Sequence, residues 1–119
     1  MNLLRLSWFL FAAGACGGAT FVVMSVMRTS YPRWFAAGHG LLGLTASAFL
    51  AVAVLKEGAS ASPQATWALG LLVAGLLGGA VLFGWLKVRR GRVWLALGHG
   101  ALGLIGLYLL FGPAFAAAA

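Results

Sequence analysis

Acidic residues are almost absent from this 119-residue chain, in which Glu57 is the only one. A single acid excludes a pair of carboxylates for hydrolysis and leaves no carboxylate within an apolar run. Cysteine is equally scarce, since Cys16 stands alone and no disulfide can form within the chain. Charged residues make up only 8% of the sequence, which is too few for the surface of a soluble domain.

Apolar residues, by contrast, make up 63% of the chain, and the mean hydropathy is +1.04. They form four runs, at roughly 3–27, 33–55, 63–87 and 92–115. Each run is long enough to cross a hydrocarbon core of ~30 Å, which needs ~20 helical residues. The connections between the runs are short, so consecutive helices should be antiparallel neighbours. We predict an all-α membrane protein, a four-helix up-down bundle that forms one transmembrane domain over 1–119.

The basic residues give the chain a net charge of +7, but they stand at the ends of the apolar runs. This placement indicates contact with anionic lipid headgroups, and we expect no nucleic acid partner. Six basic residues flank the first and third connections, whereas two lie at the opposite end of the bundle. The positive-inside rule then predicts that the basic loops face the cytoplasm of a bacterial-type inner membrane, with both termini outside. The six are Arg28, Arg33, Lys87, Arg89, Arg90 and Arg92, and the two are Arg5 and Lys56.

An internal repeat covers most of the chain. Residues 34–44 and 94–104 both read Trp-x-Ala-x-Gly-His-Gly-x-Leu-Gly-Leu, at an offset of 60. The motif Gly-x-x-Gly-Gly-Ala occurs at 14–19 and again at 75–80, at an offset of 61. We therefore predict two tandem helical hairpins, 1–58 and 62–119, related by a pseudo-two-fold axis along the membrane normal.

His39 and His99, the only histidines of the chain, occupy matching positions of this repeat. A histidine inside a membrane span is costly unless its ring nitrogens have partners, so the pair indicates a function. In a square of four helices, helices 2 and 4 stand on a diagonal of about 14 Å, where a flat ring fits if the intervening side chains are small. The residues expected to clear this space are Gly40, Gly43 and Ala46 on helix 2 and Gly100, Gly103 and Gly106 on helix 4.

Helices 1 and 3 contribute their Gly-x-x-Gly-Gly faces, which should pack against neighbouring helices or approach the edge of such a ring. Four hydroxyl side chains also lie inside the predicted spans. We expect Thr20, Ser25, Thr45 and Ser47 to donate hydrogen bonds to carbonyls of their own helices; the alternative for Thr45 and Ser47 is that they orient an imidazole.

Neutral imidazole is a strong axial ligand for haem iron, with one nitrogen on the metal and the other donating to a carbonyl or hydroxyl. We therefore expect His39 and His99 to bind one non-covalent haem b between helices 2 and 4. Covalent attachment of the c type is excluded, because the chain has no Cys-x-x-Cys-His. A chlorophyll-type pigment, or hydrogen-bonding and proton-relay roles for the histidines, are alternatives that the sequence leaves open.

The Gly-His-Gly motif on two helices of an antiparallel bundle, with glycine beside each histidine, resembles small membrane cytochromes b and the haem-carrying anchor subunits of respiratory oxidoreductases. The resemblance implies that the chain is an electron-transfer protein and not a stand-alone enzyme. Families with two stacked haems need four histidines, whereas two histidines allow one haem. Small multidrug-resistance exporters share the length and helix count, but they need a carboxylate in the first helix, which this chain lacks.

The histidines lie about six or seven residues from the cytoplasmic ends of their helices, which places the iron roughly 9–10 Å from that end at 1.5 Å per residue. The haem propionates should then point to the cytoplasm, where Arg28, Arg33, Arg89 and Arg92 are the predicted cationic partners. A single haem near one face cannot by itself carry electrons across the ~30 Å core. We expect the protein to contact lipid, a quinone, a redox partner or other membrane subunits. The alternative function is that of a non-catalytic subunit that assembles or stabilises a larger complex.

Overall fold

The computed structural model describes residues 2–82 and 92–116 of the chain. They form α1 (Leu3–Val26), α2 (Arg33–Glu57), α3 (Pro63–Ala80) and α4 (Arg92–Phe115), with a 3-10 turn at Gly58–Ser60 after α2. All four helices are long and apolar enough to cross a membrane, and the predicted all-α four-helix fold is confirmed. The predicted end of the third run, from residue 83, and the third connection lie outside the described residues.

Side-chain caps and prolines fix where the helices begin. The Asn2 side chain accepts a hydrogen bond of 2.8 Å from the backbone N–H three residues on, and Ser62 does the same at 3.1 Å. Ser62 is therefore the N-cap of α3, and Pro63 is the first residue of that helix. Pro32 is the extended N-cap residue of α2, with φ −69° and ψ 147°.

The four helices form a square in which each helix packs against two others. Contacts join α1 to α2, α2 to α3, α3 to α4 and α4 to α1. Within the described ranges no Cα atoms approach within 8 Å across the diagonals, from α1 to α3 or from α2 to α4. The two histidine helices therefore stand on a diagonal, as the sequence predicts for an up-down bundle of two hairpins.

The two ends of the bundle are packed differently. We call the end at which α1 begins the core end, since the cluster of buried apolar side chains lies there. At this end the Trp8 indole donates to the Leu107 carbonyl (3.2 Å) and Arg5 Nε donates to the Ala114 carbonyl (3.3 Å), which ties α1 to α4. The core cluster consists of Leu4, Leu50, Ala53, Ala65, Ala68, Leu72, Leu110 and Ala114.

Gly106 belongs to this packed region and not to the surroundings of His99. A Cβ atom at Gly106 would lie 2.6 Å from Leu72 Cγ, so α3 and α4 approach more closely here than any side chain allows. The prediction that Gly106 clears space beside His99 is therefore wrong. The physical reason is that α4 turns this face to α3, so the glycine serves helix packing.

The outer surface of the bundle is apolar. At most 22% of the residues in the apolar stretch of any helix are buried within the bundle. Large side chains such as Trp34, Leu55 and Tyr108 are more than 70% exposed. Exposure of this extent on four helices requires lipid around the molecule. The chain is a multi-pass membrane protein.

Two of the hydroxyl groups are bonded as predicted, since Thr20 donates to the Cys16 carbonyl and Thr45 to the Leu41 carbonyl, both at 2.9 Å. The prediction is wrong for Ser47. Its Oγ is buried and has no hydrogen-bond partner, because the side chain faces the interior of the bundle.

Candidate cofactor site at the histidine pair

The two imidazole rings meet across the diagonal of the bundle. His39 lies in the second turn of α2 and His99 in the third turn of α4, at the end of the bundle opposite the core end. We call this the histidine end. The ring centroids are 6.0 Å apart and the ring planes are inclined at 75°. The structure thus brings together the two predicted ligands, although their helices do not touch.

Glycines of the neighbouring helix form the seat of each ring. A Cβ atom at Gly79 would lie 2.9 Å from His99 Cε1, which a side chain cannot do without displacing the ring. In the first hairpin a Cβ atom at Gly17 would lie 3.3 Å from His39 Nδ1, and one at Gly18 would lie 3.7 Å from Cε1. Each Gly-x-x-Gly-Gly face therefore accommodates the histidine of its own hairpin.

This role of the glycines was not assigned from the sequence, which predicted helix packing or a cofactor edge for the same faces. A signal was available, because the glycine motif and the histidine recur at nearly the same offset, 61 against 60. Two features that repeat together within one hairpin are expected to touch if they face each other. The sequence alone does not establish that they do.

A backbone carbonyl fixes the tautomer of His99. Its Nδ1 lies 2.6 Å from the Gly75 carbonyl oxygen. Since a carbonyl oxygen only accepts, Nδ1 carries the proton and the lone pair of Nε2 is free. A metal-binding histidine commonly has this arrangement, with one nitrogen bonded to a carbonyl and the other presented to the metal.

The His39 ring lacks the equivalent bond. Its Nδ1 is buried and has no hydrogen-bond partner. Gly14 corresponds to Gly75 in the repeat, but no hydrogen bond like that of His99 joins its carbonyl to the His39 ring. The two seats are therefore similar in composition and different in bonding.

Aromatic side chains pack against His39. The edge of Phe21 contacts the His39 ring, with centroids 5.5 Å apart. Phe21 also contacts Tyr31 and Phe35, at 4.7 and 4.8 Å between centroids. In the second hairpin the positions of Phe21 and Phe35 are taken by leucines, Leu82 and Leu95. The first hairpin has thus gained aromatic packing around its histidine.

An apolar groove of about 200 Å³ reaches His39 from the outer surface between α1 and α2. Ala13 and Gly17 line it on α1, and Trp34 and Gly38 line it on α2. Trp34 is 72% exposed, so the groove opens toward the lipid. Its volume is below the ~300–1,000 Å³ of ordinary ligand pockets, so a macrocycle does not fit into the groove itself.

The predicted clearance glycines have different surroundings. Gly43 faces α3, where a Cβ atom would lie 3.5 Å from Leu76 Cδ1. Around Gly40, Gly100 and Gly103 no described atom of a neighbouring helix lies within 4 Å of such a Cβ. Their assignment to a cofactor stays a prediction.

The predicted arginines lie at the histidine end, as far as the structure describes them. Arg33 begins α2 and is exposed, and Arg28 is exposed in the first connection. Arg28 adopts the left-handed conformation, with φ +54°. Arg92 begins α4, but its side chain lies outside the described part of the chain, as does the whole of Arg89.

The two imidazoles have the separation expected of two ligands on opposite sides of one metal. Metal–imidazole bonds are about 2.0–2.1 Å long, so two imidazoles on opposite sides of one metal have ring centroids about 6 Å apart, and the observed separation is 6.0 Å. In the described ranges no third histidine, cysteine or acid joins the pair to make a metal cluster. A bare ion would therefore have two protein ligands, whereas a porphyrin supplies the remaining four itself.

Residues that are identical between the two hairpins concentrate around the histidines. They include the glycines of both seats and the tryptophan, glycines and leucines of both Gly-His-Gly stretches. Among the eight residues of the core cluster, only Leu50 and Leu110 are an identical pair. The identical residues of the two hairpins therefore lie mainly in the layer of the histidines and their glycine seats.

Comparison with known protein families, curated proteins and solved structures found no match for this chain.

Proposed function

We propose that this chain is a b-type haem-binding membrane protein that acts in electron transfer, with one haem held between α2 and α4 by His39 and His99. The observation that carries the proposal is the pair of imidazoles at a centroid distance of 6.0 Å across the diagonal. The Gly75 carbonyl supports it, because it leaves His99 Nε2 free to act as a ligand. Bound haem iron would supply a one-electron redox couple.

The residues of the chain would bind and orient this group. His39 and His99 are the axial ligands, and the glycine seats hold the rings in place. Leu76 contacts Gly43 between α2 and α3, so binding of a flat ring beside His39 requires its side chain to move. Arg28 and Arg33 lie at the same end and offer cationic partners for the propionates.

We place the protein in a bacterial-type inner membrane with both termini outside and the histidine end toward the cytoplasm. The distribution of the basic residues supports this orientation, six against two. The iron would then lie near the cytoplasmic face. A single centre there requires a partner, such as a quinone or a membrane oxidoreductase, to carry electrons farther.

The reduced-minus-oxidised absorption spectrum of the purified protein tests the proposal. A low-spin b-type spectrum with one haem per chain is the expected result. The double variant His39→Ala, His99→Ala should be colourless, and Gly43→Leu or Gly103→Leu should lower haem occupancy by steric exclusion. Full haem retention in the double variant would contradict the assignment of the ligands.

A second function is supported by the bonding within the hairpins. The His99 bond to Gly75 joins α3 to α4 without any cofactor, as expected if the histidines only stabilise the fold of a structural or assembly subunit. That function predicts a protein that is colourless in its native membrane and co-purifies with a larger complex. A chlorophyll-type pigment would be recognised in the same absorption spectrum.

A further inference from the structure

The apolar groove on the outer surface of the first hairpin has the shape of a single chain. Its walls are Ala13 and Gly17 on α1 and Trp34, Gly38 and Leu42 on α2. The α2 residues that line it run from 34 to 42, so at 1.5 Å per residue the groove is about 12 Å long. A volume of about 200 Å³ over this length is narrow. Such a groove suits one extended hydrocarbon chain that lies along the helices.

The second hairpin is packed more closely at the corresponding level. A Cβ atom at Gly75 would lie 3.5 Å from Leu102 Cβ and 3.7 Å from a backbone carbonyl oxygen of α4. At the matching position of the first hairpin, Gly14, the nearest described atom is Leu42 Cδ2, at 4.0 Å and at the end of a side chain. The backbones of α1 and α2 are therefore farther apart here than those of α3 and α4, and the groove lies in the hairpin with the wider spacing.

The first connection packs against one end of this groove. Tyr31 contacts Phe21 with ring centroids 4.7 Å apart, and Phe21 contacts Phe35, which lines the groove, at 4.8 Å. Two exposed arginines belong to the same region. Arg28 lies in the connection, and Arg33 directly precedes the first α2 residue that lines the groove. Positive charge is thus concentrated where the groove reaches the end of the bundle.

These arginines have no acidic residue within reach. Glu57, the only acid of the chain, ends α2 and lies about 36 Å from Arg33 at 1.5 Å per residue. Guanidinium groups bind phosphate oxygens, often through two parallel hydrogen bonds. Uncompensated positive charge at a membrane surface also favours anionic lipids. The arginines and the groove together therefore match a molecule with a phosphate at one end and a hydrocarbon chain at the other.

We propose that this chain holds one anionic phospholipid, with its phosphodiester on Arg28 and Arg33 and one acyl chain in the groove. The inference goes beyond the proposed function and needs no haem. The acyl chain covers the His39 ring, which lines the groove, and keeps water away from it. A guanidinium has five N–H donors, so a contact with the phosphate leaves donors for other groups.

The first test measures which lipid stays on the purified chain. The protein is placed in nanodiscs of equal amounts of phosphatidylglycerol and phosphatidylcholine and transferred to mild detergent, and native mass spectrometry counts the lipids that remain. The wild type should retain one phosphatidylglycerol. Arg33→Gln should lower this retention about tenfold, the effect of losing one charge-assisted hydrogen bond. Lys56→Gln removes the same charge from the other end of α2 and should leave it unchanged. Equal loss in the two variants, or equal retention of the two lipids by the wild type, would overturn the proposal.

The second test fills the groove and keeps the arginines. Gly38→Leu places a side chain between the walls, and Gly98→Leu makes the same change in the second hairpin; no described atom of a neighbouring helix lies within 4 Å of a Cβ at either glycine. Gly38→Leu should lower the retention of phosphatidylglycerol about tenfold by steric exclusion, and Gly98→Leu should not. Glycerol phosphate, which has no acyl chain, should fail to displace the lipid. Equal retention by the two variants, or displacement by glycerol phosphate, would show that the groove holds no acyl chain.

The two proposals fail independently. His99→Ala removes one proposed axial ligand without altering the groove, and it should still retain the lipid. A colourless wild type with one bound phosphatidylglycerol would refute the proposed function alone. A wild type that contains haem and retains both lipids equally, or that carries a polyprenyl quinone from the native membrane in place of the lipid, would refute this inference alone.

Discussion

At the scale of single residues, Arg28 has an unusual backbone conformation. Arg28 follows the end of α1 and lies in the left-handed region, with φ +54°. Backbone hydrogen bonds from Arg28 N to Ser25 O and from Thr29 N to Met24 O close the end of the helix. Glycine is the usual residue at this position, since other residues pay about 1–2 kcal/mol there. A residue other than glycine in a strained backbone conformation is a candidate for a functional role.

Replacing Arg28 with glycine should therefore increase stability and weaken function. We expect the free energy of unfolding of the apoprotein to rise by about 1 kcal/mol, and the affinity for haem to fall if Arg28 contacts a propionate. Unfolding in mixed detergent micelles and haem titration measure the two effects. Thr29→Gly is the control, since that residue has no positive φ, and it should give no gain. A destabilised Arg28→Gly variant would contradict the assigned strain.

The seats of the two histidines predict opposite effects of the same substitution. Gly79→Ala places a Cβ 2.9 Å from the His99 ring, whereas Gly18→Ala places one at 3.7 Å from His39, an ordinary contact. Overpacking should cost Gly79→Ala about 1–3 kcal/mol of unfolding free energy, and Gly18→Ala should gain up to about 1 kcal/mol from helix propensity. Haem occupancy should fall only in the first variant. Similar thermal stability of the two variants would show that the seats are equivalent.

At the scale of helices, α3 and α4 approach each other closely at Gly106. Gly106 lies against Leu72, with 2.6 Å between its Cβ position and Leu72 Cγ. The Leu72 side chain is only 5% exposed and belongs to the core cluster. The fold of the second hairpin therefore depends on the absence of a side chain at this one position of α4.

Gly106→Ala should lower the free energy of unfolding by about 1–3 kcal/mol, because the added methyl group overlaps Leu72. In the background of Leu72→Ala, the same substitution should cost less, since the overlapping atoms are gone. The double-mutant cycle gives the coupling energy directly. Additive effects of the two substitutions would mean that the helices separate to make room.

At the scale of the whole molecule, the bundle has a core end and a histidine end. The core end holds the buried leucines and alanines, and there the two hairpins have diverged in sequence. The histidine end holds the paired rings, their glycine seats and the basic residues that flank the first connection. The buried apolar cluster and the repeated histidine layer thus occupy opposite ends of the same bundle.

Orientation in the membrane is tested with single cysteines in a Cys16→Ser background. Thr29 lies in the first connection, and Ser60 lies between α2 and α3 at the core end; both are exposed. An impermeant maleimide added to intact spheroplasts should label Ser60→Cys and should label Thr29→Cys only after permeabilisation. The reverse pattern would place the basic loops outside and would exclude cytoplasmic partners for the propionates.

The sequence by itself determined the number of spans, their pairing into hairpins and the related positions of the two histidines. Hydropathy sets membrane spans because lipid admits few other structures, and the repeat places His39 and His99 at related positions without any coordinates. The same reasoning failed for Gly106, because the sequence does not distinguish a membrane-helix glycine that faces a cofactor from one that packs against a leucine. Only the tertiary structure decided which face each helix turns to its neighbour. It therefore also decided that Gly79 and Gly18 lie against the imidazole rings. It also decided that His99 is hydrogen-bonded and His39 is not, because that difference depends on the position of one carbonyl relative to one ring nitrogen.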